Sequence, residues 1–205
     1  EKDNKYSIME INCETDFVAK NNEFINFVEE VSELNYLSFG KIEDLMKSKM
    51  KNKENVKDSL VTLISKIGEK ITIRRCDFFE SDKLVNFSYI HTAVKKNIGK
   101  IGVLIGLETN KNKQELMKFG KYLSMHVAAL SPIDKNEKNL DKKILKKEKE
   151  IITEELKNSG KDSKIVDKIA LGKINKFISE NTLLNQEWIM EPKKKVKDVL
   201  KEIAG

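Results

Sequence analysis

Cysteine, proline, arginine and tryptophan are all scarce in these 205 residues, and each shortage closes off a class of protein. Two cysteines, Cys13 and Cys76, stand 63 positions apart. That leaves no disulfide framework and no zinc-ligand spacing, so both read as reduced intracellular thiols. Two prolines and nine glycines exclude collagen-like, proline-rich and glycine-linker chains. Apolar residues are 39% of the chain, but none of their runs approaches the about 18 residues that a membrane-spanning helix needs. No apolar stretch follows the charged opening Glu1–Lys5, so no signal peptide is read there, and the absence of an initial Met reads as a fragment or a processed chain. Arg74 and Arg75 are the only arginines among 39 basic residues. Nucleic-acid readers concentrate arginine, whose planar fork matches phosphates and guanine edges. Here lysine is spread over the whole length and mixed with 33 acids, so the net charge of +6 reads first as a solvated surface.

Catalytic motifs are missing as well. Gly99-Lys100-Ile101-Gly102 lacks the spacing and the Ser/Thr of a phosphate-binding loop, and there is no G-x-S-x-G, H-E-x-x-H or C-x-x-C. Nothing in the order of residues brings His91 or His126 near a cysteine. Cys13, in an apolar run, reads as a buried inert thiol. By spacing alone His126 is a satisfied histidine of the core or the surface, and Glu14 and Asp16 are turn and cap residues.

What is present is a patterned chain, long enough for a real core in one or two domains. Residues 6–13 read as a strand and 14–17 as a strand-to-helix junction. Asn21 and Asn22 are cap candidates for a helix whose apolar face is Phe24, Phe27, Val28, Val31 and Leu34. A polar loop is expected at 47–55. Val56, Leu60, Leu63, Ile64 and Ile67 mark a second helix, closed by Gly68. Strands are expected over 70–79, 85–89 and 101–107, with a Lys/Gly turn at 95–100. Leu116, Phe119 and Leu123 then form another helical face. Ile11-Asn12-Cys13-Glu14-Thr15-Asp16 matches Ile105-Gly106-Leu107-Glu108-Thr109-Asn110, which reads as a duplicated strand–turn–helix unit. Beyond Asp134, Leu140, Ile144, Ile151, Ile152 and Leu156 mark a charged helix that breaks at Ser159-Gly160-Lys161. Ile165, Ile169, Ile174, Phe177 and Ile178 mark its return, so the pair reads as a helical hairpin whose charge is first a solvated face. Val196, Val199 and Leu200 suggest a closing helix.

The expected fold is therefore α+β: two related strand-helix subdomains with antiparallel sheet, plus an inserted antiparallel coiled-coil hairpin. The expected boundaries are 1–92, 93–133, 134–184 for the hairpin and 185–205 for the return segment.

Asn12-Cys13-Glu14-Thr15-Asp16-Phe17-Val18-Ala19-Lys20-Asn21 resembles the signature segment of translation elongation factor Ts, the guanine-nucleotide exchange factor for elongation factor Tu. Gly68-Glu69-Lys70-Ile71 with Arg74-Arg75, and Tyr89-Ile90-His91 followed by Gly99 to Leu104, resemble its next strands, with Lys100 where the family usually has Arg. Met125-His126-Val127-Ala128-Ala129 with Pro132, and Leu183 through Leu200, resemble later segments. The resemblance implies a protein-binding factor rather than an enzyme, without a cofactor or metal of its own. Its partner would be elongation factor Tu, in a simple, homodimeric or two-to-two complex, in the bacterial cytoplasm rather than an organelle. Neither nucleotide nor nucleic acid would be bound directly. It also implies a partner-facing site of Thr15, Asp16, Phe17 and Val18, with Ile101, Gly102 and His126 on the same surface. Asp16 and Phe17 would insert into the partner's nucleotide-binding domain. Without the resemblance Phe17 reads as core packing, Asp16 as a cap, and Gly102 as either a close-approach residue or a bulge. The family's small N-terminal helical module and final strand have no counterpart here, so the chain reads as truncated or shortened. The alternative is a basic ribosome- or RNA-associated protein, which would need lysines clustered with aromatic platforms.

Overall fold

Period-2 and period-3.6 apolar patterns alternate along the chain, and the structure follows them into an α+β arrangement of antiparallel hairpins and helices. The computed structural model describes residues 5–81, 83–157 and 163–204. The expected break at Ser159-Gly160-Lys161, the opening Glu1–Asn4 and the side chain of Ile165 lie outside the described residues. The chain divides into two compact units, Glu1–Ser124 and Met125–Gly205.

The first unit holds β1 (Lys5–Asn12), α1 (Asp16–Ala19), α2 (Asn22–Leu37), α3 (Ile42–Lys47), α4 (Val56–Ile67), β2 (Thr72–Glu80), β3 (Leu84–Lys95) and β4 (Ile98–Glu108), and α5 (Lys113–Leu130) begins in it. Asn21 starts α2 by accepting from the Glu23 and Phe24 amides, and Gly68 ends α4 in the left-handed region at φ 78°. Phe24, Phe27 and Val31 of α2 share one core with Val56, Leu60 and Leu63 of α4 and with Ile71 and Ile73. Each such burial contributes about 2 kcal/mol before chain entropy is counted. The short helix α3 falls between the expected helix and the loop; its Leu45 is fully buried in the same core.

β1 and β2 pair antiparallel with one irregularity, because Glu10 faces Arg75 while Ile11 faces Ile73. Arg74 is the extra residue of this bulge. Successive strand residues normally point to opposite faces, but here both arginines reach one carboxylate, Arg74 at 2.8 Å and Arg75 at 2.6 Å from Glu10.

β3 and β4 form a hairpin paired from Leu84↔Glu108 to Lys95↔Ile98. The turn expected at 95–100 is thus only Lys96-Asn97, with Asn97 at φ 64°, a conformation that asparagine tolerates. Gly99 is a strand residue: a Cβ there would lie 2.5 Å from the Ile90 side chain. α5 buries Leu116, Phe119 and Leu123 as its spacing requires. Its Gly120 admits the Phe87 ring, which a Cβ would meet at 2.3 Å.

The second unit holds the end of α5, α6 (Lys142–Lys157), α7 (Ser163–Asn181), a single 3-10 turn at Leu183–Asn185, β5 (Glu187–Trp188), β6 (Glu191–Lys195) and α8 (Val196–Ala204). α6 starts two residues after Leu140 because Asp141 takes the cap, accepting from the Lys143 amide at 2.8 Å. α6 and α7 pack as a hairpin, burying Ile152, Leu156 and Ile178, with Lys173 and Glu155 paired across it at 2.7 Å. Its base is tied by a parallel bridge between Asp134 and Thr182. The Ile133 amide donates to the Asn181 carbonyl at 2.8 Å and the Leu183 amide to the Asp134 carbonyl at 2.9 Å.

Candidate functional site

β1 ends at Asn12, and the chain then turns into α1, one turn of helix capped at both ends. Thr15 is its N-cap, its hydroxyl accepting from the Val18 amide at 3.4 Å, and the Asn21 cap of α2 follows at once. This brief helix sorts its side chains sharply: Val18 is buried in the core, while Phe17 is 88% exposed. Val18 anchors the turn from below and Phe17 stands out from it. The core-packing reading of Phe17 is excluded. A large aromatic left in water carries an unused burial free energy of about 3 kcal/mol, available to whatever covers it.

Two carboxylates clasp the base of the turn. Glu69 accepts from both the Thr15 amide at 3.1 Å and the Thr15 hydroxyl at 2.6 Å. Glu14 reaches the other way and accepts from the Lys70 amide at 3.1 Å. A third tie comes from β4: the Lys100 ammonium donates to Asp16 at 2.9 Å. That hydrogen bond and charge hold the Asp16 carboxyl below the usual carboxylate range. Cys13 is half-buried rather than buried. Burial first, then the Glu69 and Asp16 charges, push its thiol up, so the protonated, unreactive form prevails.

Lys100 also joins two parts of the expected site, because Ile101 and Gly102 follow it on β4. Both are exposed, Ile101 at 40%. The ladder runs without irregularity through Ile90↔Gly102, so the bulge explanation for Gly102 is excluded. A Cβ at 102 would lie 3.5 Å from methyl groups of Ile8 and Ile90, ordinary contact distance. Thr15, Asp16, Phe17, Val18, Ile101 and Gly102 therefore all belong to the first unit.

His126 belongs to the second, and its side chain is fully buried there. It has no surface to offer a partner, unlike the position that the resemblance implies. The Ile189 amide donates to Nδ1 at 3.4 Å, so Nε2 carries the proton and donates to Gln186 Oε1 at 3.0 Å. The Gln186 amide group is fixed in turn, donating to the Glu180 carbonyl at 2.7 Å and the Leu130 carbonyl at 3.3 Å. Trp188 stacks on the imidazole at 5.3 Å. Burial keeps the imidazole pKa below its ordinary value, only partly offset by Gln186.

Glu69, Lys100, Gln186 and Trp188 were not legible as members of these networks. Each meets its partner through the fold, and no local periodicity links Glu69 to a residue 54 positions away. Among the described residues no group of three or more His, Cys, Asp or Glu side chains could hold a metal, and no helix is long and apolar enough to cross a membrane.

The family described as Elongation factor TS matches residues 14–205. Elongation factor Ts of Rickettsia felis (strain ATCC VR-1525 / URRWXCal2) is 37% identical over 195 residues, covering 95% of this chain and 63% of that protein. Elongation factor Ts of Rickettsia prowazekii (strain Madrid E) is 38% identical over 196 residues, with the same two shares. The chain thus spans a little under two thirds of the length of these relatives.

Proposed function

The chain belongs to the elongation factor Ts family, and from that premise we propose that it acts in translation elongation, in the bacterial cytoplasm, as the guanine-nucleotide exchange factor for elongation factor Tu. The observation that carries this reading is Phe17, anchored through Val18 and left open to solvent on a braced turn. Phe17 and Asp16 enter the partner's nucleotide-binding domain. A rigid ring with two side-chain torsions loses little entropy on insertion, and it displaces partner elements that hold magnesium and the GDP phosphates. Ile101 and Gly102 extend the contact along β4. His126 serves this site only by holding its own unit together. The α6–α7 hairpin supplies a further docking surface, against the partner or a second copy of the chain.

Exchange of this kind needs no covalent step. The factor binds the nucleotide-free partner more tightly than the GDP-bound one, and by linkage bound nucleotide weakens the factor's grip by the same ratio. The test is stimulated release of a fluorescent GDP analogue from elongation factor Tu. Phe17→Ala is expected to keep its melting temperature, since the ring covers no core. It is expected to lose stimulated release by roughly 30-fold, as deletion of an interface aromatic worth about 2 kcal/mol implies. Undiminished release by the folded variant sinks the reading.

A further inference from the structure

A four-residue helix has too few internal hydrogen bonds to hold its own direction, yet α1 must aim Phe17. Val18 anchors the turn through one side chain in the core, and the Lys20 and Asn21 amides tie its end to the Phe17 and Val18 carbonyls. The remaining constraints come from outside the helix. Glu69 takes both polar hydrogens of Thr15, the amide at 3.1 Å and the hydroxyl at 2.6 Å. With its hydrogen directed at Glu69, the hydroxyl presents its lone pairs to the Val18 amide, which donates to it at 3.4 Å. One carboxylate therefore fixes the rotamer of the cap and, through it, the first turn. The clasp closes in the opposite sense where Glu14 accepts from the Lys70 amide at 3.1 Å. Gly68, at φ 78°, turns the chain immediately before Glu69.

We propose that Glu69 is the positioning residue of this site: acting through Thr15, it sets the direction in which Phe17 projects. The proposal rests on the exchange reading above. Lys100 holds a different residue: its bond goes to Asp16 and not to the Thr15 cap, through a long, half-exposed side chain that loses much rotamer freedom in forming it.

The experiment compares Glu69→Ala, Glu69→Gln, Thr15→Val, Phe17→Ala and the Glu69→Ala/Phe17→Ala pair in the full chain. Stimulated GDP release is read against factor concentration, and amide hydrogen exchange over residues 13–20 is read in the free proteins. Glu69→Ala is expected to lose ~10-fold or more in release through misplacement alone, with Glu69→Gln recovering part because it keeps an acceptor. Exchange over 13–20 should quicken while α4 and β2 stay protected. Thr15→Val, which removes the hydroxyl that Glu69 holds and keeps the amide bond, should also lose release. In the Phe17→Ala background Glu69→Ala should cost nothing more, since there is no ring left to aim. Full release by Glu69→Ala or Thr15→Val beside an impaired Phe17→Ala overturns the positioning role and leaves the exchange reading intact. Additive losses in the pair overturn it too, by giving Glu69 a contact of its own. An active Phe17→Ala overturns the exchange reading and this inference with it.

Discussion

Gly102 is a glycine that its own fold does not require. Gly120 must be glycine because Phe87 fills its Cβ position, and Gly99 because Ile90 does. At 102 the backbone is regular, the ladder is in register and a methyl group would fit at ordinary contact distance from Ile8 and Ile90. A strand glycine without a local reason marks a place where another backbone comes close, and here it adjoins the exposed Ile101. Gly102→Ala is therefore expected to fold with unchanged or slightly raised stability, up to about 0.5 kcal/mol from the stiffer unfolded chain. It is also expected to bind nucleotide-free elongation factor Tu ~10-fold more weakly, which a calorimetric titration reads directly. Equal affinity would show that no partner backbone approaches there. His126 is the opposite case. Its bare spacing reads as a satisfied histidine of the core or the surface, and the resemblance implies a partner-facing position. The structure decides for the core through Gln186 and Trp188, which lie about 60 positions along the chain and were invisible to any local pattern.

The β1–β2 hairpin shows how a small irregularity becomes a pH-sensitive clamp. The bulge at Arg74 lets both arginines bind Glu10, and the Arg74 bond, ahead of Arg75, pushes its carboxyl pKa down to about 2 against a cost of partial burial. A carboxyl depressed on folding stabilises the native state fully above its ordinary value near 4.5, and that contribution is lost as pH falls from there toward 2. The arginine side chains are 63% and 75% exposed, so water and salt screen the clamp to about 1 kcal/mol. Glu10→Gln should cost about that much at neutral pH in a denaturant titration, and the cost should shrink in high salt and vanish in strong acid. A cost that persists unchanged in acid would assign it to packing instead. At this scale most of the fold was legible. The 3–4 spacing located α2, α4, α5 and α8, alternation located β1 to β3, and an apolar run located β4. The misses have local physical causes. α3 is shorter than the window over which a period can be read, and Lys96-Asn97 makes a full turn in two residues where composition spread it over six. Asp141 competes with Leu140 for the start of α6 and takes the cap. The clasp at α1 was half legible: the ten-residue signature marked Thr15 to Val18, but nothing in it names Glu69.

Over the whole molecule the lysine excess is distributed rather than concentrated. Lysines in both units pair with acids, as in Lys66–Glu23 and Lys95–Glu29 in one and Lys173–Glu155 and Lys194–Glu202 in the other. Such exposed pairs add little stability, so the acid response of the chain belongs to the few groups tied into structure, and these differ between the units. In the second unit neutral His126 is required, because a proton on Nδ1 would face the Ile189 N–H donor with another donor. Its pKa is lowered by burial from 6.5, so the unfolded state binds the proton first, and the unit's stability falls as pH drops below that value. The Glu10 clamp of the first unit still holds in that range. The sole tryptophan, Trp188, lies against the His126 ring, which makes the order observable. On acidification from neutral to about pH 5, Trp188 emission should shift and amide exchange over β5 and β6 should quicken, while β1 and β2 remain protected. Protection over β1 and β2 should fail only in stronger acid. His126→Gln keeps a buried donor and removes the titration, so it should abolish the first step and leave the second. A single transition in which tryptophan emission and β1–β2 protection fall together would mean that the His126 network does not control the acid stability of its unit.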